Sequence, residues 1–96
     1  MGRHADALAR YREAREEYAR VLSANPGDAW TALHAAWLDT TEGRARRQLG
    51  DSARACALFL RSAASLEELE KNGRLSKAKA SYLTDARKER DACAAR

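Results

Sequence analysis

The apolar positions of this chain recur every three or four residues and nowhere alternate. Ala7, Tyr11, Ala14, Tyr18, Val21 and Leu22 fall on one stripe. Trp30, Leu33, Trp37 and Leu38 form a second, after which the segment turns polar. Ala55, Leu58, Phe59, Ser62, Leu66 and Leu69 form a third, and Leu75, Tyr82, Leu83, Ala86 and Cys93 a weaker fourth. A period of about 3.6 residues belongs to a helix with one buried face, whereas a half-buried strand needs a period of about two.

Breakers between the stripes set the ends. Asn25-Pro26-Gly27-Asp28 stops the first helix, because proline lacks an amide hydrogen and disfavours helix in the residue before it. Asp28 is the natural N-cap of the second, its carboxylate accepting unpaired amides. Gly50 suits the left-handed C-terminal conformation, with Asp51 or Ser52 capping the third helix. Asn72-Gly73 ends that helix in the same way, and Ser76 is the expected cap of the fourth. The pattern predicts one all-α domain over residues 1–96, with four antiparallel helices at about 4–24, 28–49, 52–71 and 76–95. Gly43, preceded by Thr40-Thr41, is the awkward residue. Glycine inside a helix costs about 1 kcal/mol relative to alanine, yet the second helix is expected to continue through it.

Composition narrows the function classes. Of 96 residues, 45% are hydrophobic, but many of these are alanines, which fill a seam between helices and leave little for a deep catalytic cavity. The net charge of +4 comes from interspersed charges of both signs, which suits a solvated helical surface better than a dedicated nucleic-acid binder. No apolar run approaches the roughly 20 residues of a membrane span. Met1-Gly2-Arg3-His4 has no apolar core behind it, so no signal peptide is expected in this sequence, although a removed leader is compatible with it. The alanine- and arginine-rich composition suggests a GC-rich bacterial genome.

A spacing repeats within the stripes. Ala14-x3-Tyr18-x2-Val21-x4-Pro26, followed by Ala29-Trp30-x2-Leu33, resembles the tetratricopeptide repeat, and Gly50-Asp51 with Ala55, Phe59 and Ser62 looks like a second copy of its second helix. The resemblance covers about residues 11–66. The two small-aromatic-small patterns are 41 residues apart, against about 34 in the family, so helices elongated relative to that family are implied. The third helix lacks the closing proline, and the first has no helix ahead of it to complete a pair, which fits a fragment of a longer chain or a capping helix. Ala14 and Ala55 let helices approach, while Tyr18 and Phe59, one turn on, fill the space beside them.

The resemblance implies a protein–protein interaction module, an adaptor or scaffold, that binds a peptide or helix on the second helix. Its partner-facing residues would be Asp28, Thr31, Ala35, Leu38 and Asp39, with Glu42 just beyond. The lysine and asparagine of the family's chaperone-tail clamp are replaced by Thr31 and Ala35, which argues against capture of a C-terminal carboxylate in that way. The acids on this face favour a basic or mixed partner. Trp30 or Trp37, if exposed, would be natural hot spots.

Other clusters compete with that reading. Arg44, Arg46 and Arg47 form the densest positive group and would attract nucleic acid non-specifically. They also sit at a helix C-terminus, where arginine meets the negative end of the dipole, and no aromatics interleave to stack on bases. Lys77, Lys79, Arg87, Lys88 and Arg90 are balanced by Asp85, Glu89 and Asp91. Cys56 and Cys93 lie about equally far from the turn at Gly73-Arg74, so in an antiparallel hairpin they reach the same level. A disulfide there would staple the fourth helix and imply an oxidising compartment such as a bacterial envelope; two small buried thiols in a reducing cytoplasm are the alternative.

His4, His34, Cys56 and Cys93 have no paired metal-ligand spacing, so no metal or other cofactor is expected. His34, among Leu33, Trp37 and Leu38, reads as a packing or interface histidine. With no phosphate loop and no nucleophile elbow, no enzyme is expected. Self-association as a structural module of a larger bacterial assembly and weak nucleic-acid binding are the alternatives.

Overall fold

The computed structural model describes residues 2–94, without the side chains of residues 2 and 4; Ala95, the expected last residue of the fourth helix, and the His4 side chain lie outside the described residues. The fold is all-α. Helix α1 spans Gly2–Ala24, α2 Ala29–Gln48, α3 Ser52–Lys71 and α4 Ala80–Ala94, with a single 3-10 turn at Lys77–Lys79 before α4.

Local chemistry sets these ends. The Asp28 carboxylate accepts the Thr31 amide at 3.1 Å, and the Asp51 carboxylate accepts that of Arg54 at 3.2 Å, each satisfying an orphan donor of a first turn. Gly50 and Gly73 take positive φ of 85° and 70°. Around them the Asp51 amide reaches the Arg46 carbonyl at 2.9 Å and the Arg74 amide reaches that of Leu69 at 2.8 Å, closing α2 and α3 with the same reversed turn. Ser76 departs from expectation. Its side chain makes no capping bond, its carbonyl accepts the Lys79 amide at 3.0 Å, and the resulting 3-10 turn delays α4 to Ala80. Leu75, just ahead, packs on the core and supplies an apolar anchor where a cap was expected.

Helix α2 is the centre of the fold. It packs most extensively along α3, then along α1, and touches α4, while α3 packs on α4. Among the described residues, α1 and α3 make no close backbone approach to each other. The pairs run antiparallel: Thr40 meets Ser62 and Gly43 meets Phe59 on one side of α2. On the other, Arg15 reaches Asp39 and Glu42.

Buried Ala36, Ala63, Leu66, Leu69, Leu83 and Ala86 form the apolar core, joined by the half-buried Leu33, Leu75 and Tyr82. The two small-aromatic-small patterns differ in depth. Ala55, Phe59 and Ser62 are fully buried, because α3 is flanked by α2 and α4. Ala14, Tyr18 and Val21 are half-buried, because α1 has α2 on one side only. The Ser62 hydroxyl donates to the Ala36 carbonyl at 2.6 Å and lies 2.7 Å from the Thr40 hydroxyl, so burying these polar groups leaves neither unpaired.

Gly43 does not break α2. A Cβ there would lie 2.5 Å from Cε1 and 2.9 Å from Cδ1 of Phe59, so the glycine lets the two helices close over that ring. At the far end of the α3–α4 hairpin, the Cys56 and Cys93 sulfurs stand 2.12 Å apart, at disulfide distance, with their Cα atoms 5.9 Å apart.

Candidate functional site

Because α1 and α3 both pack on α2 without meeting, they form the walls of an open groove whose floor is α2. Its wide part encloses about 680 Å³ beside Leu8, Ala9 and Arg12 of α1 and Arg54, Ala57 and Leu58 of α3. Its narrow part, about 230 Å³, is lined by Tyr18, Ala19 and Leu22 over Ala32, Ala35 and Leu38. Arg15 and Arg61 line both parts from opposite walls and converge on one carboxylate at the boundary. Arg15 donates to Asp39 at 2.5 Å, and Arg61 donates two bonds to Asp39 at 2.9 Å. Arg15 also donates to Glu42 at 2.6 Å, and Arg46 donates to Glu42 at 2.7 Å.

These bonds decide the charge of the site. Burial pushes the Glu42 carboxyl up, but hydrogen bonds from Arg15 and Arg46 outweigh it and hold the group below the usual carboxylate range. Burial likewise works against the charge on Arg15, and its bonds to Glu42 and Asp39 overcome that and keep it firmly protonated. Two carboxylates thus answer three guanidiniums. Arg12 and Arg54 also line the wide part and hold no ion pair among the described residues. The wide part therefore offers the small apolar side chains of Ala9 and Ala57 beside Leu8, with more arginines than acids around them, and the Arg15–Asp39–Arg61 cluster separates it from the narrow part.

The residues singled out on α2 occupy this floor rather than an open face. Thr31, Leu38, Asp39 and Glu42 are buried, and Ala35 is half-buried. Asp28 is half-buried at the start of α2 and caps it. Ala35, Leu38 and Asp39 line the narrow part, Glu42 lines the wide part, and Thr31 lines neither. The expectation of a negative face on α2 is corrected here: Asp39 and Glu42 are covered and paired with arginines, and Asp28 is engaged as the N-cap. Sequence reasoning missed Arg12, Arg15, Arg54 and Arg61 as groove residues. Arg54 and Arg61 lie two turns apart on α3 beside Ala57 and Leu58, a spacing that marks one helix face and was the available signal.

Arg44 and Arg47, the other members of the basic cluster around Arg46, are engaged elsewhere. Arg44 donates to Glu89 at 2.6 Å and Arg47 to the same carboxylate at 2.7 Å, tying α2 to α4. The bond from Arg47 does most to hold Glu89 below the usual range, against the opposing effect of burial, with Arg44 adding to it. Arg47 also stands 5.4 Å from the centroid of the Phe59 ring, a cation–π contact.

On the side of α2 away from Asp39, Trp30 and Trp37 are 62% and 44% exposed, two turns apart. Trp30 stacks on His34 with ring centroids 4.0 Å apart, and His34 Nδ1 lies 2.8 Å from the Trp30 carbonyl. Among the described residues, no group of three or more His, Cys, Asp or Glu is placed to hold a metal ion. No described helix is long and apolar enough to cross a membrane. No protein-family model matches the sequence, and neither a curated protein nor a solved structure matches the chain.

Proposed function

We propose that this chain is a non-enzymatic protein-interaction module, an adaptor or scaffold built as a tetratricopeptide-like helical array, that receives a helical segment of its partner between α1 and α3. The observation that carries this reading is the groove itself: two helices share a floor and leave a trough between them, with Leu8, Ala9, Tyr18, Ala19, Leu22 and Ala57 along it half-buried or exposed. Laying an amphipathic helix into such a trough is a recurrent mode of recognition. The tetratricopeptide resemblance supports the choice of partner class, though the contact residues shift from α2 alone to the facing sides of α1 and α3. The Cys56–Cys93 pair supports an oxidising compartment, such as a bacterial envelope, as the place where the module works.

Selection of binders from a displayed library of helical peptides, followed by chemical-shift mapping, tests the reading. Shifts concentrated at Leu8, Ala9, Ala57 and Leu58 are expected. Shifts concentrated at Trp30 and Trp37 would move the site to the other side of α2, and the absence of any binder would overturn the docking reading.

The exposed tryptophans favour a second reading, in which this surface joins copies of the chain within a larger assembly. Sedimentation across a concentration series tests it: a mass that rises with concentration and stays monomeric in the Trp30→Ala/Trp37→Ala variant would support it. Nucleic-acid binding through Arg44, Arg46 and Arg47 is the weaker alternative, because each of these arginines already answers an internal carboxylate.

A further inference from the structure

We infer that the groove's occupant is an acidic amphipathic helix of a protein partner; this deepens, and rests on, the docking reading above. The wide part is lined by Leu8, Ala9 and Arg12 on one wall and by Arg54, Ala57 and the largely buried Leu58 on the other, so apolar surface and an exposed arginine share each wall. Alanines keep the walls low, so the apolar face of an incoming helix can settle between them. Its flanking side chains then meet one guanidinium on each wall.

Arg12 and Arg54 have no ion pair among the described residues, whereas Asp39 and Glu42 in the floor are already answered by Arg15, Arg46 and Arg61. A basic helix would therefore find two unpaired positive charges and no unpaired carboxylate. An acidic helix, with carboxylates on both borders of its apolar face, would pair with both arginines. Arginine suits this task, since its planar fork holds a carboxylate through two parallel bonds. Nucleic acid fits less well, because the middle of the wide part is aliphatic and none of the residues lining it is an aromatic on which bases stack.

The test uses the intact disulfide-bonded chain as bait for a displayed library of amphipathic helical peptides whose flanking positions vary freely among acidic, basic and neutral residues. Enriched peptides are then titrated against the native chain, the Arg12→Glu/Arg54→Glu variant and the Ala57→Arg variant, which fills the groove with a bulky side chain. The expected result is enrichment of acidic peptides that lose about tenfold or more in affinity to both variants and weaken as salt is raised. Basic or neutral peptides that lose binding to Ala57→Arg but not to Arg12→Glu/Arg54→Glu would overturn the charge inference and leave the docking reading standing. Peptides indifferent to Ala57→Arg, or no enrichment at all, would overturn both. A short mixed-sequence DNA that binds in place of any peptide, and is lost on charge reversal, would also overturn the inference. Circular dichroism of each variant establishes that the fold survives; should Ala57→Arg unfold the chain, Ala9→Arg on the facing wall replaces it.

Discussion

Gly43 of α2 faces the ring of Phe59 so closely that a methyl carbon on the glycine would lie 2.5 Å from Cε1. The ring is fully buried, and Arg47 stands over it, so it has little freedom to retreat. Alanine at this position would gain about 1 kcal/mol of helix propensity, but overpacking typically costs about 1–3 kcal/mol. Gly43→Ala is therefore expected to lower the urea midpoint, and Gly43→Ala/Phe59→Leu to recover part of the loss. A higher midpoint for Gly43→Ala alone would contradict the packing described.

Asp39 receives arginines from both walls of the groove and is itself buried, while Arg61 remains more than half exposed. Removing the acid strips both walls of their shared partner. Asp39→Ala is expected to cost about 1–3 kcal/mol, moderated because the freed arginines can reach water. Arg61→Ala should cost less than about 1 kcal/mol, since Arg15 still answers Asp39. Arg15→Ala should fall between them, because Arg15 serves both Asp39 and Glu42. Denaturant titrations of the three variants give the order directly.

Stability should fall on acidification. Glu42 and Glu89 both titrate below their ordinary range in the folded chain. Such groups bind fewer protons folded than unfolded, so their contribution is complete above the unfolded value of about 4.3 and is lost as pH drops through the folded values. Unfolding free energy measured from neutral pH down to about 3 should decline mainly below about 4.3. Glu89→Gln should be less stable than the native chain at neutral pH and show a shallower acid decline.

The α3–α4 hairpin is closed by cysteines 37 residues apart. A cross-link over a loop of that size restricts the unfolded chain and typically contributes about 2–4 kcal/mol. Cys56→Ser/Cys93→Ser, or treatment with reductant, is expected to lower the melting temperature. Amide exchange should rise most at the end of α4, where few buried apolar groups hold the helix.

The ends of α1, α2 and α3 were legible because they rest on short-range chemistry, whereas the start of α4 was not, since a 3-10 turn stands where a Ser76 cap was expected. Asp28 and Asp51 cap amides three residues ahead, and Gly50 and Gly73 close their helices within a single turn. That Cys56 and Cys93 come level was legible too, since a hairpin with one short connection fixes which positions face each other; the choice between a bond and two thiols was left open by the sequence. The groove was not. Its existence depends on where α1 and α3 sit around α2, which no local pattern encodes. Asp39 and Glu42 read as exposed acids because their cross-helix partners, Arg15 and Arg61, are more than twenty residues away in the chain. Gly43 read as a defect for the same reason: the ring that requires it belongs to the next helix.

Each helix packs mainly on the one that precedes or follows it in the chain. Topologies rich in such local pairings search little conformational space between productive contacts, and they fold within microseconds to milliseconds. The α3–α4 hairpin can bring its two thiols level before α1 has docked, so oxidation need not wait for the whole molecule. Among the described residues α2 is the one helix on which α1 packs, so the trough along its flank exists only while α1 stays docked, and fraying of that single seam would erase the groove without unfolding α2–α4.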